Sequence, residues 1–185
     1  MRIVAGTARG RRIVAPEGNN TRPTLDRVRE NLFNMLQGYI PDARVLDLFA
    51  GSGALSLEAI SRGASFAVLV DADRKASMVQ KMNAEKLGFS SRTRFFCCDW
   101  HNAVRDLSLG CDAFDIVFLD PPYSMTDMRY VYEALIPVIR DDSIIILEHQ
   151  SGTTPIIADC FEVFKKRSWG FCSVDLCRLK QKEDG

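Results

Sequence analysis

The chain has 185 residues, 46% of them hydrophobic and 26% charged, and its 24 basic and 24 acidic side chains cancel to a formal net charge of zero. That size and balance suit one globular domain spanning 1–185 with a full core, and exclude a disordered, fibrous or membrane-spanning chain. No apolar run approaches the roughly 20 residues a bilayer span needs, and the arginine-rich start offers no apolar segment to a signal peptidase, so a cytoplasmic location with no membrane contact is expected.

In chain order, the first feature is charge. Residues 1–30 hold seven arginines (Arg2, Arg9, Arg11, Arg12, Arg22, Arg27, Arg29) against three acids and no lysine. The guanidinium pairs bidentately with phosphate and stacks on bases, so this bias points to nucleic-acid contact. "TLDRVRENLFNML" (24–36) predicts a helix capped by Thr24. Its stripe of Leu25, Val28, Leu32, Met35 and Leu36 should dock on the domain and leave Arg27 and Arg29 towards solvent or a ligand. Residues 1–40 thus form a binding extension packed on the domain.

Strand-like runs then alternate with helical patterns. Strands are expected at 44–49, 66–71, 93–98, 114–120 and 143–149, and helices at 54–62, 74–87, 101–108 and 127–139. Near-continuous apolar strands separated by helices imply right-handed crossovers and a parallel sheet covered on both faces. "FEVFKKRSWGFCSVDLCRL" closes the chain as an antiparallel hairpin turning at Trp169 and Gly170. The six cysteines lie in or beside apolar runs and read as reduced core thiols. Cys97, Cys98 and His101 lack paired ligand spacing, so no metal is expected.

The first core strand runs into "DLFAGSGALSLEA" (47–59), where Gly51 and Gly53 permit a tight turn before a helix N-terminus. Asp71, 20 residues past Gly51, ends the second strand where a carboxylate can accept both ribose hydroxyls, and Asp99 ends the third, within reach of an adenine amino group. A dinucleotide fingerprint would want glycine where Ser56 stands. Asp47 lies before the turn, where the cationic amino-acid end of S-adenosylmethionine would sit, and Phe49 joins the same cofactor wall.

"FLDPPYS" (118–124) ends the fourth strand at the same sheet edge. The Asp120 carboxylate and the Pro121 carbonyl can accept from an exocyclic amine, Pro121 and Pro122 stiffen the loop, and Tyr123 offers a face for a planar ring. The loop is a clamp for a planar amine awaiting methylation.

"DPPY" after "DLFAGSGALSLEAISRGA" resembles the amino-methyltransferases of the class I S-adenosylmethionine-dependent fold. "RIVAGTARGRRIVAPEG" and "TRPTLDRVRENLFNML" resemble, more closely, the RsmD family, which methylates the N2 amino group of a guanine in bacterial 16S ribosomal RNA. The resemblance covers about residues 1–150. It implies a Rossmann-like α/β fold with a seven-stranded, mostly parallel sheet. It places Asp47, Gly51 and Gly53 near methionine, Asp71 at ribose, Asp99 at adenine, Asp120 to Tyr123 at the target base, and Arg9, Arg11, Arg12, Arg22 and Arg27 on RNA. It also implies the small ribosomal subunit or an assembly intermediate as partner, with no obligate protein partner. Asp71 and Ser56 depart from the glutamate and glycine usual there. Adenine N6 or cytosine N4 in DNA, or a glutamine in protein, would suit the same loop and stand as alternatives, as do a nicotinamide-dependent oxidoreductase and a non-catalytic RNA-binding module.

Overall fold

The computed structural model describes residues 1–15, 23–110 and 113–181, with only the backbone described for 23–26. Seven strands form one sheet in the order β3-β2-β1-β4-β5-β7-β6. The strands are β1 (Arg44–Asp47), β2 (Phe66–Val70), β3 (Thr93–Phe96), β4 (Phe114–Leu119), β5 (Ile139–Gln150), β6 (Phe161–Trp169) and β7 (Cys172–Leu179). The first five pair in parallel, whereas β7 runs antiparallel to both β5 and β6. The expected hairpin is present, with its second strand inserted between β5 and β6.

Alternation along the strands builds two cores. Val45, Leu69, Ile116, Phe118 and Ile146 face one side, against α1 (Pro23–Met35) and α2 (Ala54–Ser61), and the C-terminal end of α3 (Arg74–Leu87) reaches the same layer. Leu46, Val68, Val117, Leu119 and Leu147 face the other, against α4 (Trp100–Leu109) and α5 (Arg129–Leu135). The reversal of strand order at β1 and β4 opens a crevice at their carboxyl ends, the place where such sheets take ligands.

Several boundaries differ from expectation. The first four strands each stop one or two residues early, so that Asp71, Asp120, Cys97 and Cys98 lie beyond their strands, although the Asp71 N–H still donates to the Phe96 carbonyl at 3.1 Å. The helix expected at 127–139 ends at Leu135 and tightens into a 3-10 turn, Ile136–Val138, because Pro137 has no N–H to donate. β5 starts at Ile139 rather than 143, with the Arg140 N–H donating to Ser143 Oγ at 2.7 Å beside a register shift. The hairpin turns at Gly170 and Phe171, where Gly170 takes φ 62. Helix α1 begins at Pro23, one residue before the expected cap, and the Thr24 side chain lies outside the described residues. Cys172 and Cys177 are buried thiols, but Cys97 and Cys160 are exposed, contrary to the core reading; Cys111 lies outside the described residues.

Residues 1–15 are strapped to the domain. Arg2 and Arg12 form an antiparallel bridge, and Ile3, Ala8 and Ile13 are buried. Glu58, fully buried on α2, accepts from the N–H groups of Val4 at 2.7 Å and Ala5 at 2.9 Å and binds Arg62 at 2.7 Å. Gly6, at φ +80, crosses so close to α2 that a Cβ there would lie 1.8 Å from the Ser61 carbonyl oxygen. Arg29 does not face solvent: it is buried, donates to the Arg2 carbonyl and lies 3.9 Å from Glu58.

Candidate functional site: a cleft at the carboxyl edge of the sheet

Between the ends of β1, β2, β3 and β4 lies a cleft of about 710 Å³, lined among others by Phe49, Gly51, Asp71, Asp99, Asp120 and Tyr123. Pro121 and Pro122 complete the same wall. Residues 73 positions apart in sequence (Asp47 to Asp120) thus meet at one sheet edge, because β1 and β4 are neighbours in register.

The glycine turn is held from behind. Gly53 takes φ 78 as the N-cap of α2, and a Cβ there would lie 2.8 Å from Leu69. Gly51, at φ 51, would place a Cβ in open space, so its constraint comes from the left-handed backbone alone. Two buried side chains of α3 hold the turn's carbonyls: Gln80 donates to Gly51 at 3.1 Å and Asn83 to Ser52 at 3.0 Å. Asp71 accepts from the Gly51 N–H at 2.8 Å and the Asp73 N–H at 2.9 Å, fixing its carboxylate beside the cleft. Asp99 caps α4, accepting from the His101 N–H at 2.9 Å, and stays exposed.

Asp47 lies beneath the turn rather than in the cleft wall and is 1% exposed. Ser56 Oγ donates to its Oδ2 at 2.9 Å, while its Oδ1 is buried with no partner. Burial, with Asp71 adding like charge, pushes this carboxyl up to about 7. An orphaned buried carboxylate oxygen beside a glycine turn is chemically suited to a cationic group, such as the ammonium of an amino-acid tail.

Asp120 lies exposed at the cleft, at the end of β4. Desolvation there, then the neighbouring carboxyls Glu148 and Asp47, push it well above the usual range. Glu148, on β5 one residue past the Leu119 and Leu147 pair, is itself raised by desolvation. Tyr123 is 58% exposed, with its ring free for a ligand. The Pro122 carbonyl is occupied by the Met125 N–H at 2.8 Å, which closes the loop into a turn.

The predicted arginines divide. Arg11 donates to the carbonyls of Leu87, at 2.9 Å, and Lys86, capping the end of α3. Arg9 and Arg27 are exposed and, with Arg2 and Glu30, line a concavity of about 490 Å³. Arg12 is exposed nearby, and Arg22 lies outside the described residues. The roles of Ser56, Gln80, Asn83 and Glu148 escaped the sequence reading, as did the place of Trp100 in the cleft wall; only Ser56 carried a signal, as an unexpected residue in the glycine motif.

The family described as Conserved hypothetical protein 95 matches residues 1–178. The Bacillus subtilis protein YlbH is 36% identical over 183 residues, covering 97% of this chain and 100% of its own length. Ribosomal RNA small subunit methyltransferase D of Escherichia coli strain K12 is 40% identical over 144 residues, 77% of this chain and 68% of its own. The solved structure of Escherichia coli yhhF superposes with a TM-score of 0.83 at 32% identity, covering 98% of this chain and 99% of that one.

Proposed function

The chain belongs to the Conserved hypothetical protein 95 family, and on that premise we propose that it methylates the N2 amino group of a guanine in 16S ribosomal RNA, using S-adenosylmethionine. The observation that carries this reading is the single cleft in which the Asp120–Tyr123 loop lies beside Gly51, Asp71 and Asp99. The relatives' names supply the substrate class, since the Escherichia coli match is named Ribosomal RNA small subunit methyltransferase D and four further bacterial matches share that name.

When bound, S-adenosylmethionine supplies a methyl group on a positively charged sulfur. Asp47 would attract its ammonium from beneath the turn, where Oδ1 has no other partner, Asp71 would hold its ribose and Asp99 its adenine, with Gly51 and Phe49 lining the path between. Asp120 and the Pro121 carbonyl accept from the target amino group, pulling electron density towards a nitrogen whose lone pair is otherwise drawn into the ring. The raised pKa of Asp120 makes its ionised form a better proton acceptor, so it can take the proton lost after transfer. Tyr123 stacks the base, and the two prolines set the loop before substrate arrives, so little ordering entropy is lost on binding. A base in a duplex cannot reach this loop, so the target nucleotide is unpaired or turned out.

The strapped segment within residues 1–40 provides the RNA contact. Arg9, Arg12 and Arg27 carry it, Arg22 joining them from the sequence pattern, while Arg11 serves chiefly to cap α3. No described helix is long and apolar enough to cross a membrane. A ribosomal RNA substrate would place the protein beside the ribosome in the cytoplasm.

The test is nucleoside mass spectrometry after incubating protein and S-adenosylmethionine with unmodified small subunits, free 16S RNA and duplex DNA. N2-methylguanosine in RNA, lost with Asp120→Ala, is expected. Methylation of DNA or protein instead would keep the cofactor site and overturn the substrate.

A further inference from the structure

Beside the cleft stands a group of rings that the chemistry above does not use. Trp100 lines the cleft as the first residue of α4. Its ring meets His101 edge-on at 5.6 Å between centroids and Tyr130, from α5, at 5.7 Å. His101 and Tyr130 stack at 5.4 Å with 27° between planes, and Tyr130 Oη lies 2.8 Å from His101 Nε2. Tyr130 is nevertheless 58% exposed and His101 is exposed too.

The arrangement is not a core fragment, since water reaches all three rings, Trp100 being partly exposed in the cleft wall and the other two exposed. Nor are the rings loose, because the hydroxyl and imidazole satisfy one another and edge-on packing against Trp100 fixes the pair. Aromatic faces held in place before a ligand arrives suit the flat faces of unpaired nucleobases. The occupant follows from continuity: Trp100 belongs to the wall of the cleft that takes the target base, and the His101 and Tyr130 faces extend that wall outward. Resting on the RNA reading above, we propose that Trp100, His101 and Tyr130 form a stacking platform for unpaired RNA bases flanking the target nucleotide.

Stacking on an aromatic face tolerates any base, so the platform contributes affinity and register rather than base identity. Tyr130→Ala should raise the KM for small-subunit RNA roughly fivefold at unchanged kcat, the low end of the effect of losing one base stack. Affinity for S-adenosylhomocysteine should not move. Tyr130→Phe, which keeps the ring and loses only the hydroxyl, should recover most of the loss. Trp100 and Trp169 are the two tryptophans in the chain, so in a Trp169→Phe background Trp100 reports alone. Adding RNA to protein saturated with S-adenosylhomocysteine should quench that emission, less so with Tyr130→Ala. An unchanged KM with Tyr130→Ala in an enzyme that does methylate RNA overturns the platform alone. A loss of S-adenosylhomocysteine affinity instead would assign the rings to the cofactor's adenine and overturn it equally. If the parent enzyme methylates no RNA, the substrate reading fails first and the platform with it.

Discussion

Replacing Asp47 with asparagine should make the protein more stable and less able to bind its cofactor. The carboxyl is fully buried and raised from an ordinary 3.8 to about 7. Because the folded state holds the proton more tightly than the unfolded chain, the wild type loses stability as pH rises from about 4 to 7, after which the cost is constant. At about 1.4 kcal/mol per tenfold, the full cost is about 4 kcal/mol above pH 7 and about 1 kcal/mol at pH 4.5. Asparagine keeps an oxygen for the Ser56 hydroxyl, now 2.9 Å from Oδ2, and carries no charge. Urea unfolding at pH 4.5 and pH 8 should therefore show Asp47→Asn ahead by about 1 and about 4 kcal/mol respectively. Calorimetric titration should show its affinity for S-adenosylhomocysteine sharply reduced, and wild-type affinity falling as pH drops below 7. Parallel stability curves for the two proteins would refute the ionisation argument, and undiminished cofactor affinity would refute the role of Oδ1.

The acid limb of the kcat/KM profile should lie above the usual carboxylate range, activity rising with pH as Asp120 ionises; Glu148→Gln removes a neighbouring charge and should move that limb to lower pH, which a profile from pH 5 to 9 would reveal. Glu58→Gln removes the buried charge that pairs with Arg62 at 2.7 Å and holds the Val4 and Ala5 N–H groups, and should cost about 3 to 5 kcal/mol in urea unfolding, whereas a change under 1 kcal/mol would mean that the strap holds without it. Each of Arg9, Arg12 and Arg27, changed to glutamine, should reduce the slope of log binding constant against log salt for single-stranded RNA by about 0.7. Arg11→Gln should mainly lower the melting temperature, and equal slope changes for all four would contradict the capping role.

What the sequence conveyed was whatever depends on neighbours along the chain. Apolar runs such as Phe114–Leu119 announce strands buried on both faces, and Gly51, Gly53 and Asp120–Tyr123 mark the strand ends that carry the cleft. What it hid depends on partners far away. Glu58 reads as an ordinary acid on a short helix, and only the arrival of Val4, Ala5, Arg29 and Arg62 makes it the anchor of the strap. Arg29 looked solvent-bound for the same reason. The ring platform could not be foreseen because Trp100 and Tyr130 come together only when α4 packs on α5.

The charges that cancel in the total are sorted in space, and the sorting bears on how the substrate enters. Asp47, Asp71, Asp99, Asp120 and Glu148 cluster at the carboxyl edge of the sheet. Once these carboxyls ionise, an acidic floor attracts a sulfonium cofactor and the hydrogens of an amino group and repels phosphate, an effect that grows with pH because Asp47, Asp120 and Glu148 are all raised. The arginines stand away from that floor, on the strap that covers α2 and at the start of α1. On the proposed reading, an RNA strand would be drawn by its backbone to the arginines and kept from laying phosphate in the cleft, so that the part that enters would be a base. Tyr123 and the loop prolines would then meet a flat ring presented amine first. The zero net charge is thus compatible with nucleic-acid binding, because the repulsion at the centre orients the substrate that the periphery captures.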